Sequence, residues 1–138
     1  MASYELCFPP QVSEIPRLID WVEACCGAEQ IADQVSFRLA LAVEEAVTNV
    51  IGHAFAGVPP PHVITVRLDL TPQVLSAEVI DNGRPFDPTT VPPPDLSVPV
   101  EWRSPGGLGI YLMRSMVDRL DYRRSDGQNR LRLEKAAG

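Results

Sequence analysis

Glu44-Glu45-Ala46-Val47-Thr48-Asn49, followed by His53-Ala54-Phe55, lies in a stretch whose apolar residues recur every three or four positions: Val35, Leu39, Ala42, Ala46, Val50 and Ala54. That spacing predicts a helix from about Gln30 to Phe55. The alanines favour it, and Gly57 with Pro59-Pro60-Pro61 ends it. Glu45, Asn49 and His53 are four apart, so they project from nearly one face. Their small or apolar neighbours imply that much of this helix is buried. A carboxylate and a carboxamide stacked on a buried helix need partners. A bound metal with its hydration shell would supply them, and so would neighbouring backbone groups or solvent.

Working outward, Tyr4 to Phe8 alternates weakly and reads as an edge strand closed by Pro9-Pro10. Ser13 is the expected N-cap of a first helix, with Glu14 and Pro16 in its first turn. Ile15, Leu18, Ile19, Val22 and Cys26 keep helical spacing, and Gly27 is the stop. Downstream, Val63 to Leu70 and Val74 to Ile80 read as two strands joined by a hairpin turn at Thr71-Pro72-Gln73. The second strand runs into Ile80-Asp81-Asn82-Gly83-Arg84-Pro85-Phe86-Asp87. A carboxylate at a strand end, followed by a glycine that lets backbone approach, can accept a hydrogen bond from an exocyclic amine such as that of adenine. An ordinary Asn-Gly turn has the same look.

Seven of the fourteen prolines fall between Pro85 and Pro105. Little regular structure is expected there, and a loop of that length covers a site or is an insert without structure. Gly106-Gly107-Leu108-Gly109 then opens a third helix with Ile110, Leu112, Met113, Met116 and Val117 as its apolar positions. Glycines at a helix start let backbone N–H groups approach an anion, or simply link the helix flexibly to what precedes it. Leu120 to Arg124 and Asn129 to Leu133 close the chain as a strand pair around Asp126-Gly127. The fold class expected is α+β: one domain, residues 1–138, forming a two-layer α/β sandwich with helices on one face of a mostly antiparallel mixed sheet.

Composition removes several function classes. Net charge is −6 and the sequence pI about 4.8, which argues against a broad nucleic-acid or acidic-membrane footprint. There are eleven arginines and one lysine, Lys135. A P-loop needs a lysine after its glycines, and a eukaryotic-type kinase needs one on an early strand. Neither can be built. Cys7, Cys25 and Cys26 are odd in number and lack a C-x-x-C pair, so they read as reduced thiols rather than a disulfide framework or a zinc site. Neither a signal peptide nor a bilayer-spanning run is apparent, so a cytoplasmic protein with no membrane contact is expected.

Taken in order, Glu45-x-x-x-Asn49, Asp81-x-Gly83 and Gly107-x-Gly109 after a long loop resemble the N box and the two glycine boxes of Bergerat-fold (GHKL) ATPases. The likeness is greatest to the anti-sigma-factor serine kinases of bacterial partner-switching systems. It rests on Glu45-Ala46-Val47-Thr48-Asn49, on Asp81-x-Gly83-x-x-Phe86-Asp87-Pro88 and on the closing Asn129-Arg130-Leu131-Arg132-Leu133-Glu134-Lys135. The resemblance implies that Glu45 is the catalytic base and Asn49 the Mg²⁺ ligand. Asp81 would bind adenine with Gly83 beside the base, and Gly107, Leu108 and Gly109 would cradle the phosphates of ATP. Residues 88–105 would be the ATP lid, with Arg103 near the phosphates or a partner protein. The resemblance also implies transfer of phosphate to a serine of a STAS-type anti-anti-sigma protein, binding of a sigma factor, and a homodimer. The alternatives are a non-enzymatic binding module and a detached histidine-kinase catalytic domain. Two departures stand out. The last box commonly carries a threonine near the final strand, where this chain has Gly127-Gln128-Asn129 and Asn129 is the available polar contact. The lid is also unusually rich in proline. His53 is expected to be a core or capping histidine, and Glu44 a solvated or structural neighbour.

Overall fold

Alternation at every second residue builds the sheet. The computed structural model describes residues 1–92, 96–99 and 107–138. In β2 (Ile64–Leu70), Ile64, Val66, Leu68 and Leu70 are buried while Arg67 between them is exposed. The same face carries Leu75, Ala77 and Val79 of β3 (Val74–Asp81) and Leu131 and Leu133 of β5 (Gln128–Ala136). β1 (Ala2–Phe8) and β4 (Arg119–Ser125) are the edges of one sheet in the order β1-β2-β3-β5-β4. Side chains alternate between faces, so register decides which residues are covered. Pairing of Ile64 with Asp81, and of Asp81 with Asn129, sets these three in one row at one end of the covered face.

Three helices lie on that face. α2 (Asp33–His53) packs on β3 and β5, flanked by α1 (Ile15–Ala28) and α3 (Gly107–Met116). Leu39, Val43 and Val47 of α2 are fully buried, as are Val22 of α1 and Met113 of α3, and they join the strand residues in one core. Truncating any one of these larger side chains would cost about 2–5 kcal/mol. The opposite face is polar. The cross-strand row Glu5, Arg67, Glu78, Arg132, Asp121 alternates in charge, an arrangement that favours adjacent strands.

Several sequence expectations need correction. The sheet is not mixed: every strand pairing among the described residues is antiparallel. β3 and β4 flank the α3 crossover and run in the same direction, but β5 is inserted between them, so the parallel pair never meets. Ser13 does not cap α1. The Gln11 carbonyl accepts the Glu14 N–H at 2.9 Å and Val12–Glu14 winds as a 3₁₀ turn. The chain therefore enters α1 already helical, with Glu14 at the N-cap and no side-chain cap. α2 starts at Asp33 rather than Gln30, because Gln30 takes a left-handed φ of 60°, which an α-helix cannot propagate. It ends at His53 rather than Phe55. The last hairpin turns on Asp126 and Gly127, with φ of 54° and 73°, the paired positive values a two-residue hairpin needs.

Candidate functional site

The segment Asp81 to Asp87 leaves the end of β3 and is pinned on every side. Arg84 donates its backbone N–H to the Ala54 carbonyl at 2.8 Å and its Nε to the His53 carbonyl at 2.9 Å. Arg124 of β4 donates from Nη1 to the Gly83 carbonyl at 2.7 Å. Asn82 accepts the Val63 N–H at 3.0 Å and donates to the Pro61 carbonyl at 2.8 Å. Asp87 caps the 3₁₀ turn Pro88–Thr90 by accepting the Thr89 N–H at 2.8 Å. A Cβ on Gly83 would stand 2.4 Å from the Ala54 carbonyl oxygen and 2.7 Å from the Ala54 Cβ, so only glycine lets this turn reach the end of α2.

Asp81 itself is 3% exposed. Its Oδ1 accepts the Gly83 N–H at 2.8 Å and the Asn129 Nδ2 at 2.9 Å, whereas Oδ2 receives no donor from the described residues. Burial pushes the carboxyl above the usual carboxylate range, and it does so against the downward pull of Asn129, the Gly83 N–H and Arg124. Asp81 lines a narrow cleft between α2 and the sheet together with Asn49, Phe86, Tyr122 and Asn129. Asn49 lies across that cleft, and its Nδ2 is buried without a hydrogen-bond partner. A buried amide left unpaired costs about 1–3 kcal/mol and calls for an explanation such as a ligand. A wider notch lined by Thr89, Arg114 and Leu120 lies elsewhere and holds none of these residues.

Glu45 lies one helical turn before Asn49 on α2. A Cβ on Gly109 would meet its Oε2 at 2.7 Å, so the carboxylate abuts the first turn of α3 where a side chain would otherwise stand. Burial raises the Glu45 carboxyl above its ordinary range, and the neighbouring charge of Glu44 adds to that. Asn49 lines the cleft, and its carboxamide carries one hard oxygen beside the unpartnered Nδ2. Among the described residues no group of three His, Cys, Asp or Glu could hold a metal by itself. This donor set fits a magnesium ion that takes most of its ligands from phosphates and water.

The sequence-chosen residues fall as follows. Asn49 and Asp81 share the cleft, Gly83 packs against Ala54 of its lining, and Glu45 joins Gly109 at the start of α3. Gly107 begins α3, and Leu108 is 39% exposed beside it. Arg103 lies outside the described residues, as do 93–95 and 100–105 of the expected lid. His53 is not a core histidine. It is exposed, and its ring stacks on Phe86 with centroids 5.4 Å apart, because Ala54 rather than His53 faces the Gly83 turn. Cys25 and Cys26 are buried free thiols, and Cys7 is an exposed one. Sequence reasoning missed Tyr122, whose hydroxyl donates to Asn129 Oδ1 at 2.5 Å, and Arg124. Counting outward from the Asp126-Gly127 turn would have put Leu120, Tyr122 and Arg124 on the same face as Asn129 and Leu131.

Comparison with known proteins agrees with this fold. The family described as histidine kinase-like ATPase domain matches residues 8–135. The serine/threonine-protein kinase BtrW of Bordetella bronchiseptica is 35% identical over 115 residues, which cover 82% of this chain and 79% of that protein. The serine-protein kinase RsbW of Listeria monocytogenes is 37% identical over 84 residues, 58% of this chain and 53% of RsbW. The chain thus matches about half the length of that relative. Among solved structures, the RsbU and RsbW domains of Rv1364c from Mycobacterium tuberculosis align with a TM-score of 0.68 at 13% identity, over 98% of this chain and 32% of that one. The blue-light activated histidine kinase of Erythrobacter litoralis aligns with a TM-score of 0.56 at 22% identity, over 78% of this chain and 32% of that one. At these identities the structural likeness is one of fold. Among the described residues, no helix is long and apolar enough to cross a membrane.

Proposed function

The chain belongs to the histidine kinase-like ATPase family, and from that premise we propose that it is an ATP-dependent protein-serine kinase. The observation that carries the reading is the convergence of three side chains. Asn49 and Asp81 line one cleft, and Glu45, a turn away on the same helix, abuts the glycine start of α3. Asp81 accepts the adenine amine, with Gly83 beside the base. The first-turn N–H groups of α3, at Gly107, Leu108 and Gly109, have no intrahelical partners and hold phosphate oxygens. The Asn49 side-chain oxygen would hold Mg²⁺, which when bound would neutralise charge on the transferred phosphoryl group. Residues 88–105 form the lid, and Arg103 acts at the phosphates or at the partner protein.

Glu45 accepts the proton of a serine hydroxyl. As it does so, the serine oxygen bonds to the γ-phosphorus and the bond from that phosphorus to the β–γ bridging oxygen breaks, leaving phosphoserine and ADP. A carboxyl lifted above its ordinary range by burial is a better proton acceptor than an exposed one. Holding nucleotide alone requires Asn49 and Asp81 but no base, so Glu45 favours a kinase over a passive binding module. The serine we assign belongs to a STAS-type anti-anti-sigma protein. The same chain would hold a sigma factor, as a homodimer in the cytoplasm.

The test mixes the protein with γ-labelled ATP, Mg²⁺ and a candidate STAS-type partner. Labelled phosphoserine that is lost in Glu45→Gln, with nucleotide binding retained, supports the kinase. Nucleotide binding without transfer to any partner would leave only a binding module, and label on histidine would point to a histidine-kinase domain.

A further inference from the structure

Asn129 is 4% exposed and has no hydrogen-bonding capacity to spare. Its Oδ1 accepts the Phe86 N–H at 3.3 Å and the Tyr122 hydroxyl at 2.5 Å. Its Nδ2 donates to Asp81 Oδ1 at 2.9 Å and to the Arg84 carbonyl at 2.7 Å. Two donors and two acceptors exhaust a carboxamide. A backbone N–H can only donate and a backbone carbonyl can only accept, so Phe86 and Arg84 fix which way the amide points. The end that faces Asp81 must be NH₂. Asn129 therefore does not touch a ligand itself; it acts through Asp81.

The consequence falls on the carboxylate. With Asn129 and the Gly83 N–H both on Oδ1, the plane of the Asp81 carboxyl is set and Oδ2 is left as an acceptor lining the cleft. An oxygen held in that state attracts an amine N–H and repels a carbonyl oxygen. We infer that Tyr122 and Asn129 are positioning residues for base selection, locking Asp81 so that the cleft takes a 6-aminopurine nucleotide and rejects a 6-oxopurine one. Tyr122 is the far anchor. Without its hydroxyl, Asn129 Oδ1 keeps only the longer bond from Phe86, and the amide is free to tilt away from Asp81. This inference rests on the ATP reading above and adds to it the residues that enforce the choice of base.

The experiment is competitive binding of ATP and of inosine triphosphate to the full chain, at fixed Mg²⁺, for the wild type, Tyr122→Phe and Asn129→Ala. Inosine triphosphate differs from ATP only in carrying a 6-oxo group with a protonated N1 in place of the amine. The wild type should prefer ATP by about 100-fold or more, because a site built to pair a donor is left unpaired by its absence. Tyr122→Phe should weaken ATP about 5- to 10-fold and Asn129→Ala more, with inosine triphosphate little changed, so the ratio narrows in both. A fold merely loosened by either change lowers both affinities together and preserves the ratio, and that result overturns the inference. A wild type that binds both nucleotides equally also overturns it, while leaving the kinase reading intact. A wild type that binds neither brings down both.

Discussion

Replacing Gly109 with alanine separates chemistry from stability. The new Cβ would stand 2.7 Å from Glu45 Oε2 and 3.8 Å from Glu45 Cδ, and beyond its own helix backbone and chain neighbours meets nothing else within 4 Å among the described residues. The atom in the way is the tip of a flexible side chain, so the carboxylate yields and the helix does not. Ordinary contact begins near 3.4 Å, which requires a retreat of about 0.7 Å. A misplacement of about 1 Å in a reacting group costs roughly 100-fold. Scaled to 0.7 Å this is roughly 25-fold in the rate of phosphoryl transfer, or about 1.9 kcal/mol of barrier. Helix propensity moves in the other direction, since alanine in place of glycine favours a helix by about 0.5–1 kcal/mol. The variant should therefore melt at or a few degrees above the wild type, bind ATP normally and transfer phosphate slowly. Single-turnover formation of phosphoserine at saturating ATP reads the rate, and thermal unfolding reads the fold. Wild-type transfer by a well-folded Gly109→Ala protein would refute the assignment of Glu45, as would a loss confined to ATP affinity.

Gly83→Ala should behave in the opposite way, because its Cβ would strike Ala54 backbone at 2.4 Å, which cannot swing aside. Overpacking plus loss of the Arg84 to Ala54 hydrogen bond costs about 2–4 kcal/mol, so the melting temperature should fall by roughly 5–15 °C, and an unchanged melting curve would contradict the close approach. Asp81→Asn tests the buried carboxyl. Its pKa is raised by burial, so the stability tied to Asp81 is full at low pH and is lost as pH rises through the folded-state value above the ordinary carboxylate range. At neutral pH the variant should be as stable as the wild type or more so, with a flatter stability–pH curve above the carboxylate range, yet should bind ATP poorly, since an amide nitrogen now presents donors to the adenine amine. Retention of tight ATP binding would remove Asp81 from base recognition. Glu44→Gln removes a charge that helps raise the Glu45 carboxyl, so the acid limb of the transfer rate against pH should move to lower pH. A limb that stays where it was would mean that Glu45 is not the group titrating.

Much of this was legible in the residues. The spacing of Val35, Leu39, Ala42, Ala46 and Val50 marked α2, and the end of a strand at Asp81 followed by the Asn82-Gly83 turn was readable from the residues. Helix starts were less legible. Ser13 has the side chain of a cap, but a 3₁₀ turn already satisfied the entry to α1, and Gln30 gives no warning of its left-handed backbone. The α+β layering and a mostly antiparallel sheet were readable from the order of elements, but local sequence does not reveal that β5 inserts between β3 and β4 and leaves every described pairing antiparallel. The Glu45–Gly109 contact joins residues far apart in the chain, so spacing is silent on it. The threonine missing near the last strand looked like a gap in the site. Instead, Asn129 uses its whole amide to bind Asp81 and the loop backbone, a role that depends on Tyr122 reaching it from the neighbouring strand.

The central claim is that Asn49 and Asp81 face one another across a site for ATP with magnesium. Calorimetric titration of ATP into the wild type and into Asn49→Ala, each with Mg²⁺ and with a chelator, tests it most directly. The wild type should bind ATP more tightly with Mg²⁺ than without, and Asn49→Ala should lose this difference while staying folded. No ATP binding by the wild type, or an undiminished response to Mg²⁺ in Asn49→Ala, would contradict it.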